Sequence, residues 1–183
     1  TTPAGIGSVG CGNWVDFVMV EGLLIKPANA SGSLQGINLG NTLGVQLNNL
    51  LVSYISAHGG TTGSEGVRVR STQAVGGQYT FRNLIIYENS LDLTSPPDGI
   101  NYQPSGSSGG DELNILHATI VSLSGEGRYG IMGASGPTSP RGLWRNVYMG
   151  GWQSGSYDDM GSHIDVDYSA DEGSPSFPGG NSN

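Results

Sequence analysis

The feature that most constrains the fold is a six-residue pattern that recurs five times along the chain. Each copy has an apolar residue, two mostly polar residues and then three residues that are mostly large and apolar. The copies occupy residues 20–25, 47–52, 81–86, 116–121 and 144–149. Self-similarity at this spacing is typical of repeat proteins, in which each unit packs on its neighbours.

A second motif, glycine followed by a short alternating strand, keeps step with the first. It occurs at residues 36–39, 66–69, 99–102 and 130–132. Each repeat therefore holds two short β-rich runs and leaves no room for an amphipathic helix. Helical solenoids, leucine-rich repeats and propeller blades are all disfavoured. We predict an all-β chain, a right-handed parallel β-helix of about five to six coils.

The third position of the pattern predicts a corner between strands. Asn49, Asn83 and Asn146 stand there in three copies, and Gly22 stands there in the first. Asparagine and glycine tolerate the left-handed backbone that a sharp corner needs. We expect the stacked asparagine side chains to bond to one another. Ala118 departs from this pattern, so the register of the fourth copy is the one that the pattern fixes least.

Strand alternation predicts which side chains point inward. The expected inward pairs are Leu23 with Ile25, Leu50 with Val52, Leu84 with Ile86 and Val147 with Met149. Each buried side chain contributes about 1.5–3 kcal/mol. The residues between them are expected to form an outward apolar stripe: Leu24, Leu51, Ile85, Ile120 and Tyr148. Such a stripe marks a contact surface, unless loops of the same chain cover it.

The expected domain organisation follows from where the pattern begins and ends. Residues 1–14 form a lead-in segment, 15–168 the β-helix and 169–183 an irregular tail. Residues 164–168 are expected to be the last edge strand.

The paired motifs resemble the β-helix repeats of the pectate-lyase-like superfamily. The likeness rests on the glycine-led strands and on runs such as residues 83–86, and covers residues 15–168. That superfamily includes polysaccharide lyases, polygalacturonases, phage tailspikes and many virion or cell-surface proteins. The resemblance implies an architecture, because the same coil carries both enzymes and non-enzymes.

Composition excludes several classes of partner. The formal net charge is −8, and Lys26 is the only lysine. A chain without a basic stripe is unsuited to nucleic acid or to an anionic membrane surface. Cys11 is the only cysteine, which excludes an internal disulfide.

The strongest catalytic candidates are His58, Arg68 and Arg70. They resemble the histidine-glycine and basic motifs of polygalacturonases. Glycoside hydrolysis needs two positioned carboxylates, yet no aspartate lies between Phe17 and Leu91. The sequence therefore favours a loop histidine and two strand-end arginines over a catalytic site.

Pectate-lyase chemistry would need carboxylates and a basic residue on neighbouring coils. Arg68, Arg82 and Arg145 recur near strands, but we expect no carboxylate at the matching positions of neighbouring coils. They are interpreted as solvent-facing residues with apolar stems against the surface.

The densest acidic segment contains Asp165, Asp167 and Asp171, whose spacing resembles the start of a calcium loop. Ala170 stands where the turn glycine belongs, and Ser176 where the closing glutamate belongs. We expect a solvated acidic tail and no cofactor, with Ca²⁺ as the alternative.

Four aromatic residues are candidates for carbohydrate or partner binding. Trp144, Tyr148, Trp152 and Tyr157 could provide flat platforms for a sugar ring or a protein. The alternative is that Trp144 lies in the core and Trp152 covers the end of the stack.

Open strand edges at the ends of a coil invite another chain to add on. We expect that either other subunits, in a homo-oligomer or a larger assembly, or further parts of a longer chain cover at least one end. The functional hypothesis is a non-enzymatic structural or adhesive protein of a virion or extracellular surface, of the phage decoration or tail-associated type. The alternatives are a lyase or hydrolase of acidic polysaccharide and a carbohydrate-binding module.

Overall fold

The computed structural model describes residues 18–22, 24–25, 35–40, 44–54, 65–70, 77–88, 96–102, 112–133, 141–158 and 164–171. Regular elements in these ranges are all β-strands. They are β1 (Val18–Glu21), β2 (Leu24–Ile25), β3 (Gln35–Gly40), β4 (Gly44–Tyr54), β5 (Glu65–Arg70), β6 (Gln78–Glu88), β7 (Asp98–Tyr102), β8 (Glu112–Ser122), β9 (Tyr129–Met132), β10 (Gly142–Gly150), β11 (Gly155–Asp158), β12 (Ile164–Asp167) and β13 (Ala170–Asp171). A search of these ranges for a membrane-spanning helix finds none.

The strands form two parallel sheets. The larger sheet has the order β1-β4-β6-β8-β10-β12, with β2 beside β4 and β13 beside β10. The smaller sheet has the order β11-β9-β7-β5-β3. From β3 to β12 successive strands alternate between the sheets, so each repeat adds one strand to each. For the described residues, the prediction of an all-β fold with parallel strands is confirmed.

The register of both sheets follows the two sequence motifs. In the larger sheet one column runs through Leu50, Leu84, Ala118 and Val147. In the smaller sheet one column runs through Ile37, Val67, Ile100 and Ile131. Leu50, Leu84 and Val147 therefore lie in one column, as the repeat predicts, and Ala118 occupies the level between Leu84 and Val147.

The predicted register of the fourth copy is wrong by one residue. Leu84 pairs with Ala118 and Ile85 with Thr119, so the copy comprises residues 115–120. A shift of one residue exchanges the two faces of a strand. Ile120 is consequently fully buried and does not belong to the outward stripe.

A left-handed bend interrupts each long strand of the larger sheet. Asn49, Asn83 and Asn146 have a φ of 53°, and Gly22 has a φ of 70°, which confirms the predicted corners. The shifted register places His117 at the fourth bend, with a φ of 57°. Tyr168 continues the series with a φ of 49°.

The side chains at the bends form a ladder along the stack, as predicted. Asn49 Nδ2 donates to Glu21 Oε1 at 2.9 Å, and Asn83 Nδ2 donates to Asn49 Oδ1 at 2.7 Å. Asn146 Nδ2 lies 3.0 Å from His117 Nδ1. We call the residues at the bends the bend ladder: Gly22, Asn49, Asn83, His117, Asn146 and Tyr168.

The core lies between the two sheets. Tyr79 of the larger sheet meets Tyr102 of the smaller one edge to face, with ring centroids 6.4 Å apart. A Cβ added to Gly99 would lie 2.6 Å from Ile120 Cγ2. The glycine of the second motif therefore permits close approach of the sheets. The predicted inward residues with described side chains are buried: Leu84, Ile86, Val147 and Met149.

The last strands extend the larger sheet past its predicted end. β12 pairs with β10, as expected for an edge strand at residues 164–168. β13 also pairs with β10, although the sequence pattern assigned its residues to the irregular tail.

Candidate partner-binding face

The bend ladder divides the outer surface of the larger sheet into two facets. Residues before the bend alternate between core and surface, and so do residues after it. The charged facet comprises outward residues before the bend: Met19, Glu21, Gln46, Asn48, Gln78, Thr80, Arg82, Glu112, Asn114, Leu116, Leu143, Arg145, Asp165 and Asp167. The apolar facet comprises outward residues after it: Leu24, Ile85, Tyr87, Thr119, Val121, Tyr148 and Ala170.

The apolar facet carries the predicted outward stripe. Leu24 is 65% exposed, Ile85 47% and Tyr148 37%. Strand pairing places them in one column, which runs through Leu24, Leu51, Ile85, Thr119, Tyr148 and Ala170. The outward prediction is confirmed for Leu24, Ile85 and Tyr148, whereas the side chain of Leu51 lies outside the described part of the chain.

On the charged facet, one column beside the bend ladder contains acidic, amide, basic and apolar side chains. Its members, in order along the stack, are Glu21, Asn48, Arg82, Leu116, Arg145 and Asp167. Neighbouring strands lie about 4.8 Å apart, so the backbones of Arg82 and Arg145 are separated by roughly 10 Å. Leu116 is partly exposed and lies midway between the two arginines.

Arg145 pairs with Asp167 across the end of the sheet. Its Nε and Nη2 atoms lie 3.0 and 2.9 Å from Asp167 Oδ2. Both side chains are substantially exposed, so the pair contributes less than about 1 kcal/mol. The expectation that no carboxylate lies beside these arginines is wrong here. At Arg68 the paired positions on the adjacent strands are Asn38 and Asn101, and its Nε lies 4.0 Å from Glu65 Oε1 of the same strand.

A buried polar cluster lies on the smaller sheet. Arg128 binds Asp98 with two hydrogen bonds, of 3.0 and 2.6 Å, and Asp98 is 1% exposed. Asn101 Nδ2 lies 3.3 Å from Glu65 Oε1 and 3.4 Å from Asp98 Oδ2. The two carboxylates are thus held by one amide and flanked by Arg68 and Arg128. Burial of Glu65 and Asp98 suits a structural network better than access by a polysaccharide.

The sequence pattern did not reveal this cluster. Asp98 and Arg128 are 30 residues apart, which is close to the spacing of the glycine-led motif. The repeat period was therefore the sequence signal from which the contact between Asp98 and Arg128 could have been predicted. Arg68 belongs to the cluster, whereas His58 and the side chain of Arg70 lie outside the described residues.

Glu88 forms a second buried network that the sequence did not indicate. Ser122 Oγ and Ser124 Oγ donate to Glu88 Oε2 at 2.6 and 2.7 Å. The amide of Gly127 donates to Ser122 Oγ at 3.0 Å. A buried carboxylate needs hydrogen-bond donors. Because the turn after β8 supplies them, these bonds hold that turn against the end of β6.

The candidate calcium residues lie on or next to the last strands. Asp165 and Asp167 belong to β12, and Asp167 is engaged by Arg145. Asp171 belongs to β13, and its side chain lies outside the described part. Among the described residues, no group of three or more His, Cys, Asp or Glu side chains could hold a metal ion.

Three of the four candidate aromatic platforms pack in or against the core. Trp144 is fully buried and meets Tyr157, which is partly buried, edge to face at 6.3 Å. Trp152 is 8% exposed, and its Nε1 donates to the carbonyl of Ile120 at 3.0 Å. Burial argues against a role for Trp144 and Trp152 as sugar platforms. Tyr148 remains on the surface, in the apolar facet, between Thr119 and Ala170 of the neighbouring strands.

Comparison with models of protein families, with curated proteins and with solved structures gave no significant match.

Proposed function

We propose that the chain is a right-handed parallel β-helix that serves as a non-enzymatic structural or adhesive protein in a virion or extracellular surface assembly. The proposal rests on one observation. Leu24, Ile85 and Tyr148 form an exposed column on a sheet whose register is fixed by strand pairing. We propose this apolar facet as the contact with another subunit, which in the simplest case is a second copy.

The coiled architecture is supported by the order of the strands. Successive strands alternate between two parallel sheets, and each sheet gains one neighbouring strand per repeat. A chain that returns to the next parallel position in the same sheet does so with a right-handed crossover in nearly all proteins. Right-handed coils therefore account for the topology in the simplest way.

The size of the apolar facet sets the strength of the contact. Six levels and about five residues per strand give a flat area of about 25 by 16 Å, or roughly 400 Å². A standard interface buries about 800 Å² on each partner. Association through this facet alone should therefore be weak and reversible, which suits an assembly that uses several contacts at once.

Sedimentation velocity over a concentration series tests the contact. The wild-type chain should associate reversibly, and the pair I85D and Y148D should shift the equilibrium to monomer because it buries two charges in the contact. The matched control is the pair Q46D and Q78D, which adds the same charge on the charged facet. Equal dissociation of both pairs, or a wild-type monomer throughout, would contradict the proposal.

An enzyme assay tests the proposal that the chain has no catalytic activity. The chain is incubated with uronic-acid polymers, with and without Ca²⁺, and unsaturated products and reducing ends are followed. We expect no turnover. Activity that R68A or H58A abolishes would replace the structural role with polysaccharide cleavage.

A further inference from the structure

We infer that two copies of the chain meet through the apolar facet with their stacks running in opposite directions. The inference rests on the proposed function and specifies the arrangement of that contact. A two-fold axis parallel to the strands runs between β6 and β8, the two middle levels of the larger sheet. The first level of each copy, β2, then lies over the last level of the other, β13.

The two ends of the apolar facet have opposite shapes. At the first level, Gly22 of the bend ladder has no side chain, and a Cβ added there would meet no atom within 4 Å. Leu24, two residues further along, is 65% exposed. At the last level the equivalent positions hold Tyr168, which is 71% exposed, and Ala170. One end therefore presents a gap beside a projecting side chain, and the other end presents these features in exchanged positions.

A two-fold axis along the strands brings the two shapes together. Such an axis keeps the position along the strand and reverses the order of the levels, and it makes each contact occur twice. Each facing pair then sets a larger side chain against a smaller one, as close packing requires. The pairs are Tyr168 with Gly22, Leu24 with Ala170, Ile85 with Thr119 and Tyr87 with Val121.

A two-fold axis along the stack fits less well, because it brings equal levels together. Centred on the column of Leu24, it sets leucine against leucine at one end and alanine against alanine at the other. Centred between that column and the bend ladder, it sets Asn83 against Ile85 and so covers exposed amides with apolar groups. The reversed order avoids both the uneven spacing and the burial of the amides.

The middle of the facet supplies the centre of the contact. Leu123 is 64% exposed, and its amide donates to the carbonyl of Glu88 at 2.8 Å, so β8 stays paired with β6 up to this residue. Strand alternation from Val121 turns Leu123 outward. The axis between β6 and β8 brings Leu123 and Ile85 of the two copies together, and well-packed apolar residues at the centre usually dominate an interface.

The charges of the chain favour a contact through this facet. The formal net charge is −8, so two copies repel each other. Among the described residues, the outward side chains after the bend carry no charge. At the edge of the contact Glu21 lies toward Asp167 of the other copy, but Asp167 is already paired with Arg145. Because salt screens the overall repulsion, association should strengthen as the salt concentration rises.

Cross-linking of single-cysteine chains in a C11S background tests the arrangement. L24C and A170C chains are mixed and treated with a short bismaleimide, and the cross-linked peptides are identified by mass spectrometry. Position 24 of one copy should lie opposite position 170 of the other, at about the 10 Å that separates packed sheets. Positions 24 of the two copies should lie more than about 20 Å apart. We expect cross-links between 24 and 170 and none between equal positions, and I85D with Y148D should abolish them.

Substitutions at the two ends test the fit of Tyr168 over Gly22. Y168A should weaken self-association about tenfold, because symmetry removes the contact twice. G22N should weaken it similarly, since asparagine tolerates the left-handed backbone but fills the open space. The matched control is Y129A, which truncates a partly exposed tyrosine of the smaller sheet and should leave association unchanged. Sedimentation velocity measures all three variants.

The possible outcomes separate this arrangement from the contact itself. Cross-links between equal positions, no cross-link at all in chains that associate, or equal effects of Y168A and Y129A would overturn the reversed order. If I85D with Y148D still dissociates such chains, the apolar contact stands in another arrangement. A wild-type chain that never associates would exclude both the contact and the arrangement.

Discussion

The two facets of the larger sheet are built from the same strands but present opposite chemistry. Before the bend the outward columns carry the charged residues Glu21, Arg82, Glu112, Arg145, Asp165 and Asp167. After the bend the described outward side chains carry no charge, and Leu24, Ile85 and Tyr148 are exposed. The inner faces of both halves are buried, although the half after the bend also buries the polar side chains of Glu88, Ser122 and Ser169. The contrast between the outer faces is the reason that we propose the apolar facet as a contact surface.

The bend ladder separates the facets because it breaks the alternation of the strand. In β6 both Arg82 and Asn83 face outward, whereas Phe81 and Leu84 on either side of them are buried. A single left-handed residue per level thus gives one strand two independent outer surfaces. Substitution of a residue of the bend ladder should disturb the side-chain arrangement of both facets. Substitution within one facet should leave the arrangement of the other facet unchanged.

The largest effect on stability is expected in the core between the two sheets. W144A should lower the free energy of unfolding by about 3–5 kcal/mol, because it opens a cavity where a fully buried ring packs. Y148A, four residues further along the same strand but on the surface, should cost about 1 kcal/mol or less. Urea unfolding of both variants measures the difference. Equal losses would mean that the apolar facet is part of a core.

An intermediate effect is expected at the bend ladder. N83A should cost about 1–2 kcal/mol, since alanine resists a φ of 53° and cannot bond to Asn49. N83G keeps the backbone freedom and removes only the side-chain bond, so it should cost less than N83A. Thermal and urea unfolding compare the two, and a costlier N83G would show that the left-handed backbone is not the main cause of the loss.

A small gain in stability is expected at His117, where the bend ladder has histidine in place of asparagine. H117N should leave stability unchanged or raise it by up to about 1 kcal/mol, because asparagine adopts left-handed backbone readily and can bond to Asn146. Urea unfolding at neutral pH measures the change. A loss of more than 1 kcal/mol would indicate a specific role for the imidazole.

The smallest effect is expected on the charged facet. D167N should cost less than about 1 kcal/mol, since its pair with Arg145 is exposed, and the cost should shrink further in high salt. Unfolding at two salt concentrations checks both points. A larger loss that salt does not reduce would contradict the description of this facet as a solvated surface.

Much of the fold follows from the spacing of apolar residues. The columns through Leu84 and Val147, the glycine-led strands and the corners at Asn49, Asn83 and Asn146 were all predictable. These features repeat locally, so each copy supports the others. The core position of Trp144 was one of two interpretations that the sequence left open, because a single aromatic residue does not reveal its depth.

Other features depend on pairings between levels that no local pattern specifies. The fourth register was misassigned because Leu116 resembles the first position of the motif, although Ile115 occupies it. The bond between Arg128 and Asp98 joins residues in different repeats. The column that links Arg82 to Arg145 becomes visible only when the corrected register places Leu116 between them.

The most direct test of the register and of the two-faced sheet is thiol labelling of single cysteines under native conditions, in a C11S background. One series of cysteines replaces outward residues, and the other replaces the inward residue that follows each: Ile85, Thr119 and Tyr148, against Ile86, Ile120 and Met149. We predict rapid labelling of the whole first series and protection of the whole second series, in variants that remain folded by circular dichroism. Rapid labelling at position 120 with protection at position 119 would contradict the corrected register and the column that depends on it.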